Sequence, residues 1–481
     1  MKRGWAIAVV LSVLGGGAAR ATPVDWGQTL RSDAQAMHDV LAADHPGAVD
    51  PQNPAFAVTL EDGLRAAQAQ ALHTDSAGGW YWAMKAYAAR FDDAHLQIVP
   101  ADTAPSLPTQ WAGFLTAYTK GALTVAYVDH ATKDVPPLGA RLLGCDGVAA
   151  DTLAAARVGV YVGQWALEAQ RTKYGAWLVE DRGNPWLAPL RTCTFSVAGH
   201  RKAYRLKWQA ISPADLTAAE ARAMPKRRTE FAYRQIDDGT WWLSFPDFSG
   251  NPQGAEFKTL TAAVERMRAD RAALRGAKRI ILDVRGNGGG SSAWGDAIAS
   301  AIWDETWRTA HPVPRPTAVD WRVSKGNIAA LQGYLDSYRA SGNDAAGLQE
   351  EVAGMTAAYQ AHETWWHRPL DDAPAAPAGG GVAPKVKVFV LTDEWCFSAC
   401  LDAVDEWKAD GAIQVGRSTG ADTLYIENKL VPLPSGQAQL AVSMKVYRGR
   451  ARGNNQPQLP DHVWEGNMDD DAAILAWIKG M

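Results

Sequence analysis

The sequence predicts an α/β chain that is divided into several domains. Helix and strand patterns alternate between residues 255 and 416, as expected for a parallel sheet covered by helices. Residues 118–212 instead carry short strand patterns separated by turn residues, and a helical stretch precedes both regions. At 481 residues the chain is longer than a typical single domain. We therefore expect two or three domains.

The first 21 residues predict a secretory signal peptide. In MKRGWAIAVVLSVLGGGAARA, two basic residues precede a short apolar run, and the stretch ends in an A-x-A cleavage pattern. The apolar run is short for a membrane span, and no later stretch reaches about 18 apolar residues. We expect an exported, periplasmic protein with no integral membrane segment in the mature chain. A permanent amino-terminal anchor is the alternative.

Export changes the interpretation of the four cysteines, because an oxidising compartment permits disulfides. Cys145 and Cys193 fall in one predicted module, and Cys396 and Cys400 lie four residues apart. Pairing within each of these two sets is the preferred one of three connectivities, with four buried free thiols as the alternative. The spacing lacks a zinc pattern, so no metal is expected. The net charge of -4 and the absence of a basic run disfavour nucleic acid as a partner.

An amino-terminal helical region is predicted over residues 22–115. Apolar residues recur at helical spacing, and the stretch FDDAHLQIVP then alternates as a short strand does. His95 is thereby predicted at a junction between a helix and a strand. The three predicted helices cover 28–44, 56–72 and 78–90, and the strand covers 94–99.

A mostly β module is predicted over residues 116–212. Its strand patterns lie near 123–128, 140–148 and 192–209, with one helix near 164–178. A linker rich in Ala, Arg and Lys is expected at 213–228. It leads to a hairpin whose turn is Asp237-Asp238-Gly239.

The last region, 226–481, is predicted to be the α/β core, with a helical insertion at 304–384. The insertion closes with DDAPAAPAGGGVAP, whose composition is typical of a flexible linker. The insertion could cover a cleft or form a solvated lobe. Core helices are expected at 255–274, 292–303 and 399–409, core strands at 278–284, 385–392 and 412–416, and insertion helices near 326–341 and 345–364.

The segment RIILDVRGNGGG, residues 279–290, carries four glycines directly after a buried strand. A dinucleotide fingerprint would need a third spaced glycine, and a Walker phosphate loop would need Gly-Lys-Ser/Thr. The remaining interpretation is that bare backbone N–H groups face an anion formed during a reaction, as in an oxyanion hole. A tight turn that merely needs positive φ is the alternative.

A candidate nucleophile lies in the second α/β unit. Val388 to Leu391 predicts a buried strand, a helical stripe begins at Cys400, and Ser398 sits at the junction. A hydroxyl there is close to the positive end of a helix, where the N–H of Ala399 could bind a negatively charged oxygen. The alternative is that Ser398 only caps the helix.

These residues resemble one protease family. The match rests on DVRGNGGG at 283–290, TDEWCFSAC at 392–400, VGRSTG at 415–420 and DDAH at 92–95. The chain is similar here to the tail-specific, or carboxyl-terminal-processing, serine proteases, together with the tricorn core protease and the retinoid-binding protein of the same fold. The resemblance implies a ClpP/crotonase-like α/β core. PLGARLLGCDGV at 137–148 is similar to a PDZ segment, which implies a PDZ-like module that binds peptide ends by strand addition.

The resemblance also implies the site. Ser398 would be the nucleophile, and the N–H of Ala399 with that of Gly288 or Gly289 would be the oxyanion donors. His95 would be the general base, as in tricorn-like members.

Other positions follow less directly from the resemblance. Bacterial tail-specific enzymes use a lysine where this chain has Asp422. The third catalytic position corresponds to Asn454 or Asn455, with Asn454 preferred, and Glu427 is an alternative. If histidine were not the base, Lys445 would be the next candidate.

The function expected from the sequence is therefore an exported serine-type peptidase of tail-specific, tricorn-like character. It would cleave polypeptides as an endopeptidase through an acyl-enzyme and use no cofactor. The alternative is an inactive relative that binds a peptide or an apolar ligand in the same cleft. The sequence does not reveal the oligomeric state.

Overall fold

The computed structural model describes residues 24–313, 316–370 and 384–481. The predicted signal peptide, 1–21, lies outside the described residues, and so does most of the predicted linker at 371–384. Among the residues described, no helix combines the length and apolar character needed to cross a membrane.

The amino-terminal region is helical, as predicted. Asp25 caps the first helix by accepting the N–H of Gln28 at 2.9 Å. Leu30, Met37 and other apolar residues of this helix are fully buried against the next two helices. The helices are α1 (Trp26–Asp44), α2 (Ala55–Ala71) and α3 (Ala77–Ala89), and the strand that follows is β1 (Gln97–Pro100).

The middle region contains an antiparallel sheet with strand order 3-4-5-8-9, which agrees with a β module; its PDZ-like character stays a prediction. The Cys145–Cys193 disulfide joins two neighbouring strands inside its core. The elements are β2 (Gln110–Trp111), β3 (Phe114–Thr119), β4 (Ala122–Val128), β5 (Arg141–Cys145), β6 (Val148–Ala149), α4 (Ala150–Ala154), α5 (Val160–Val162), α6 (Glu168–Tyr174), β7 (Glu180–Asp181), β8 (Thr192–Val197), β9 (His200–Arg205), β10 (Gln209–Ala210) and α7 (Pro213–Ala223).

The prediction of a linker at 213–228 was wrong for its first part, because residues 213–223 form α7. Ser212 caps this helix by accepting the N–H of Asp215, and Pro213 occupies the first turn, where it needs no N–H partner. Leu216 and Ala219 are buried in the core of the middle sheet. The helix therefore packs with the β module, although its composition resembled a linker.

The carboxyl-terminal region holds the predicted parallel sheet, with strand order 11-12-13-16-17-20. Only the hairpin at its first edge is antiparallel. The central strands are apolar on both faces, as expected when helices cover both sides. The elements are β11 (Ala232–Asp237), β12 (Thr240–Ser244), α8 (Ala255–Ala269), α9 (Arg271–Gly276), β13 (Arg279–Asp283), α10 (Ala293–Ile302), α11 (Glu305–Ala310), β14 (Ala318–Arg322), α12 (Lys325–Ala340), α13 (Ala346–Gln360), β15 (Trp365–Pro369), β16 (Lys387–Thr392), α14 (Ala399–Ala409), β17 (Ile413–Gly416), β18 (Tyr425–Pro432), β19 (Ala438–Arg448), β20 (His462–Val463) and α15 (Asp471–Lys479).

A second sheet connects the amino-terminal region to the insertion. Strand β19 pairs with β18 along one edge, and with β1 and β14 along successive parts of the other. The insertion contributes β14 and β15 to this sheet, so it is not purely helical and is hydrogen-bonded into the molecule. His95, two residues before β1, is thus tied to the carboxyl-terminal third of the chain.

The two disulfides should contribute unequally to stability. Cys145–Cys193 closes a loop with a sequence separation of 48, and Cys396–Cys400 one of 4. A chain-entropy estimate gives about 4 kcal/mol for the first and about 2 kcal/mol for the second. We expect the Cys145→Ala/Cys193→Ala pair to lower the free energy of unfolding more than the Cys396→Ala/Cys400→Ala pair, measured by urea unfolding. Equal losses would contradict this ranking.

Candidate active site

Ser398 lies between β16 and the first turn of α14, half-buried and in a strained conformation. Its φ of 55° and ψ of -125° are unusual for a residue with a side chain. The Cys396–Cys400 disulfide joins residues on either side of it. The Leu401 N–H donates to the Ser398 carbonyl at 2.8 Å, so the strained turn is held from the helix side.

The glycine loop reaches Ser398 at Gly289. A Cβ on Gly289 would lie 2.7 Å from the Ser398 Cβ and 2.6 Å from the Phe397 carbonyl oxygen. These distances are too short for a side chain at that position, and the φ of Gly289, 92°, also favours glycine. Close approach of two backbone segments is thus the physical reason for the bare loop.

Asn287, which is fully buried, holds the glycine loop in place. Its side-chain amide donates to the Phe245 carbonyl at 2.8 Å, and its Oδ1 accepts the N–H of Gly289 at 2.8 Å. Its own carbonyl accepts the N–H of Phe397, next to Ser398, at 3.1 Å. The side chain of Asn287 therefore joins the glycine loop to the chain after β12, and its backbone carbonyl joins the loop to the Ser398 turn.

The two glycines predicted as oxyanion donors differ, because the backbone N–H of Gly289 already donates to the Asn287 side chain. The described hydrogen bonds include none from the N–H of Gly288 or from that of Ala399. These two amides flank the Ser398 turn and are available to a negatively charged oxygen.

A buried ion pair braces the start of the loop. Arg285 binds the Asp283 carboxylate through Nε at 2.8 Å and a terminal nitrogen at 2.7 Å. Both residues are nearly inaccessible to solvent. The same guanidinium also reaches Asp471 at the start of α15, so this pair fixes the loop to the sheet and to the last helix.

His95 contacts the serine across 303 residues of sequence. Its Nε2 lies 3.1 Å from the Ser398 Oγ, which is within hydrogen-bond distance. The Asn428 side chain donates to the His95 carbonyl at 2.8 Å, and the imidazole packs on Phe397 with ring centroids 4.6 Å apart. The structure therefore brings the predicted serine and histidine together.

Asp93 is the carboxylate beside the other ring nitrogen. Its Oδ1 lies 3.8 Å from His95 Nδ1 and accepts the backbone N–H of His95 at 2.8 Å. Its Oδ2 accepts the hydroxyl of Thr423 at 3.0 Å. Burial raises the pKa of the Asp93 carboxyl, while the nearby His95 charge and these hydrogen bonds oppose the shift. Within the described part of the chain, His95 Nδ1 has no hydrogen-bond partner, and the Asp93 carboxylate lies 3.8 Å from it.

The other predicted site residues do not meet His95 in the described contacts. Asn454 Oδ1 accepts the N–H of Leu424 at 2.7 Å, and the Asn455 amide donates to the carbonyl of Asp92 at 2.9 Å. The assignment of Asn454 as third catalytic residue thus remains a prediction without a supporting contact.

Glu427 and Lys445 bind each other at 2.9 Å. Burial lowers the pKa of Lys445, but the charges of Glu427, Tyr447 and Glu351 outweigh it and leave that pKa above its ordinary value. A lysine held in its protonated form is unsuited to accept a proton from serine.

Asp422, at the position where the resembling bacterial enzymes have a lysine, is buried in a network of arginines. It binds Arg450 at 3.0 Å and also binds Arg452, which in turn reaches Asp402 and Asp405 on α14. The site of the absent lysine is therefore occupied by a structural ion-pair network.

Sequence reasoning missed two functional positions that stand inside motifs it had identified. Asn287 lies within GNGGG, and Asp93 lies two residues before His95 in DDAH. A D-x-H pattern is itself a usable signal, because a carboxylate two residues before an imidazole can reach both its backbone N–H and its ring.

Comparisons with known proteins concern the family and the fold. Residues 243–461 match the model of peptidase family S41. None of the curated protein sequences matches this chain. Among solved structures, mature CPAF is 14% identical with a TM-score of 0.56, covering 91% of this chain and 93% of its own. Mature CPAF complexed with lactacystin is 12% identical with a TM-score of 0.58, covering 94% and 98%. These likenesses extend the shared fold to nearly the whole chain. Residues 243–461 form a peptidase family S41 domain, in agreement with the protease family that the resemblance implied.

Proposed function

We propose that this protein is an exported serine endopeptidase of tricorn-like type that cleaves polypeptides through an acyl-enzyme. The observation that carries the proposal is the 3.1 Å separation between Ser398 Oγ and His95 Nε2. A serine hydroxyl is a weak nucleophile until a neighbouring base accepts its proton, and an imidazole titrates near neutral pH.

In the proposed reaction, Ser398 Oγ attacks the scissile carbonyl carbon while His95 Nε2 takes the hydroxyl proton. The carbonyl oxygen becomes an oxyanion that accepts the N–H groups of Gly288 and Ala399. The protonated His95 then gives its proton to the leaving amine, and the peptide bond breaks. A water molecule, deprotonated by His95, hydrolyses the resulting ester. The carboxylate of Asp93 stabilises the transient imidazolium.

Export is supported by the state of the cysteines. All four are paired in disulfides, and such bonds persist mainly in oxidising compartments. The predicted signal peptide, 1–21, is consistent with the same assignment.

A preference for the carboxyl-terminal part of substrates is also proposed. It rests on the PDZ-like segment at 137–148 and on the exposed outer strand β9 of the middle sheet, to which an extended peptide could add.

A serine-reactive phosphonate tests the central proposal. We expect covalent labelling of the wild type, none of Ser398→Ala, and labelling slowed by at least ~10²-fold in His95→Ala, because general-base assistance is lost. The double variant Lys445→Met/Glu427→Gln is the control, since it removes the alternative base together with its partner and should retain labelling. A wild type that is not labelled, yet binds peptide as well as Ser398→Ala does, would establish the inactive peptide-binding alternative.

The assignment of Asp93 is tested against that of Asn454. Asp93→Asn keeps an acceptor for the His95 N–H but removes the charge, so kcat for peptide cleavage should fall by roughly 10²-fold or more. Asn454→Ala should leave kcat nearly unchanged, because its side chain contacts Leu424 and not His95. Steady-state kinetics on a fluorogenic peptide distinguish the two. The opposite ranking would restore Asn454 as the third residue.

The close approach of the glycine loop gives a matched pair of substitutions. Gly289 and Gly411 both have positive φ, 92° and 102°, but a Cβ on Gly411 meets no atom within 4 Å. Each Gly→Ala change should cost about 1–2 kcal/mol of stability for backbone strain. Only Gly289→Ala should also displace Ser398 and slow phosphonate labelling, by ~10²-fold. Equal labelling rates in the two variants would show that the close contact is unimportant for reactivity.

A further inference from the structure

Three residues with left-handed backbone meet behind the His95 turn. Asp92, Gln164 and Asn455 have φ of 48°, 49° and 56°, although none of them is glycine. They come from three distant segments: the turn after α3, the middle β module and the loop after β19. Left-handed backbone costs a residue with a side chain about 1–2 kcal/mol. Such conformations persist where surrounding contacts fix them.

The three residues form a closed ring of hydrogen bonds. The backbone N–H of Gln164 donates to Asp92 Oδ1 at 2.7 Å, and its side-chain amide donates to Asn455 Oδ1 at 2.5 Å. The Asn455 amide completes the ring by donating to the Asp92 carbonyl at 2.9 Å. Each member thus contacts both others. Gln164 is the only member from the middle module, and it is buried.

The ring also binds residues 421–423, the loop segment that contacts Asp93 from its other side. The Gln164 amide donates to the Ala421 carbonyl at 3.0 Å, and the N–H of Asn455 donates to the Asp422 carbonyl at 2.7 Å. Thr423, the next residue, is the donor to Asp93 Oδ2. Asp93 is therefore placed between two segments, the Asp92 turn and residues 421–423, that the ring fixes relative to each other.

We infer that Gln164 is a positioning residue for the Asp93–His95 pair, supplied by the middle β module. This rests on the proposed function of Ser398 and His95. Gln164 touches neither side chain, and acts by fixing the backbone on both sides of Asp93. The catalytic site is accordingly incomplete without the middle module, even though the residues that react with substrate lie outside it.

The test uses the full chain and two variants that open the ring from different sides. Gln164→Met preserves side-chain length and burial but removes the amide. Asn455→Gly accepts the left-handed backbone without strain and removes the other amide. Each should lower kcat and the phosphonate labelling rate by roughly 10-fold, with KM for the peptide little changed, because the geometry of the base is altered and substrate binding is not. The double variant should be no slower than the more impaired single variant, since both break one ring.

Asp134→Ala is the matched control. Asp134 lies in the same module but outside the PDZ-like segment, has a φ of 61°, and pairs with Lys207 of that module at 3.0 Å. It should leave kcat unchanged. Folded ring variants with wild-type kcat, or an equal loss of kcat in Asp134→Ala, would overturn the inference. A wild type that fails to react with the phosphonate would instead refute the proposed function, so the two failures are distinguishable.

Discussion

The contact between His95 Nε2 and Ser398 Oγ joins two sheets that the chain builds from different segments. His95 stands two residues before β1, which is held in its sheet by pairing with β19. Ser398 follows β16, the centre of the parallel sheet. A slip of one residue in the register of β1 or of β16 would move His95 or Ser398, respectively, by about 3.3 Å. It would also turn that residue's side chain to the opposite face. The 3.1 Å contact therefore requires both registers to be correct.

Charge pairing around the site limits which group can act as the base. Asp422 is paired with Arg450 and Arg452. Lys445 is paired with Glu427, whose charge helps to keep the pKa of Lys445 above its ordinary value. Burial and the charge of His95 lower the pKa of His45 to about 3, which keeps that second ring neutral near pH 7. Nε2 of His95 lies 3.1 Å from the Ser398 hydroxyl, which supports the proposal that this ring accepts the proton.

The regular elements, and the serine and histidine that meet at the site, were predictable from sequence, whereas most of the contacts that position them were not. The helices of the amino-terminal region and the parallel sheet follow from periodicity, because burial imposes that pattern locally. The disulfide pairing was preferred because each pair of cysteines lies close in the predicted organisation of the chain. Residues 213–223 have the composition of a linker because a short helix needs few apolar residues to pack one face. In α7 these residues are Leu216 and Ala219. Gln164 was missed for a different reason. Its contacts depend on partners such as Asn455, 291 residues away, and no local pattern encodes such a pairing.

The free energies of hydrogen bonding and of apolar burial indicate what holds the distant segments around Asp93 and Gln164 together. A hydrogen bond contributes a net 0.5–1.5 kcal/mol, roughly, so the few bonds around Asp93 cannot by themselves offset the ordering of the long segments that they join. Burial of apolar side chains stabilises the fold far more, at about 25 cal/mol per Å². Apolar cores therefore supply most of the stabilisation, and they contain Leu440 and Val442 on β19, and Val388 and Val390 on β16. The hydrogen bonds select one arrangement among those that the cores allow. The role inferred for Gln164 belongs to this second level, since its amide fixes backbone beside Asp93 and adds no apolar burial.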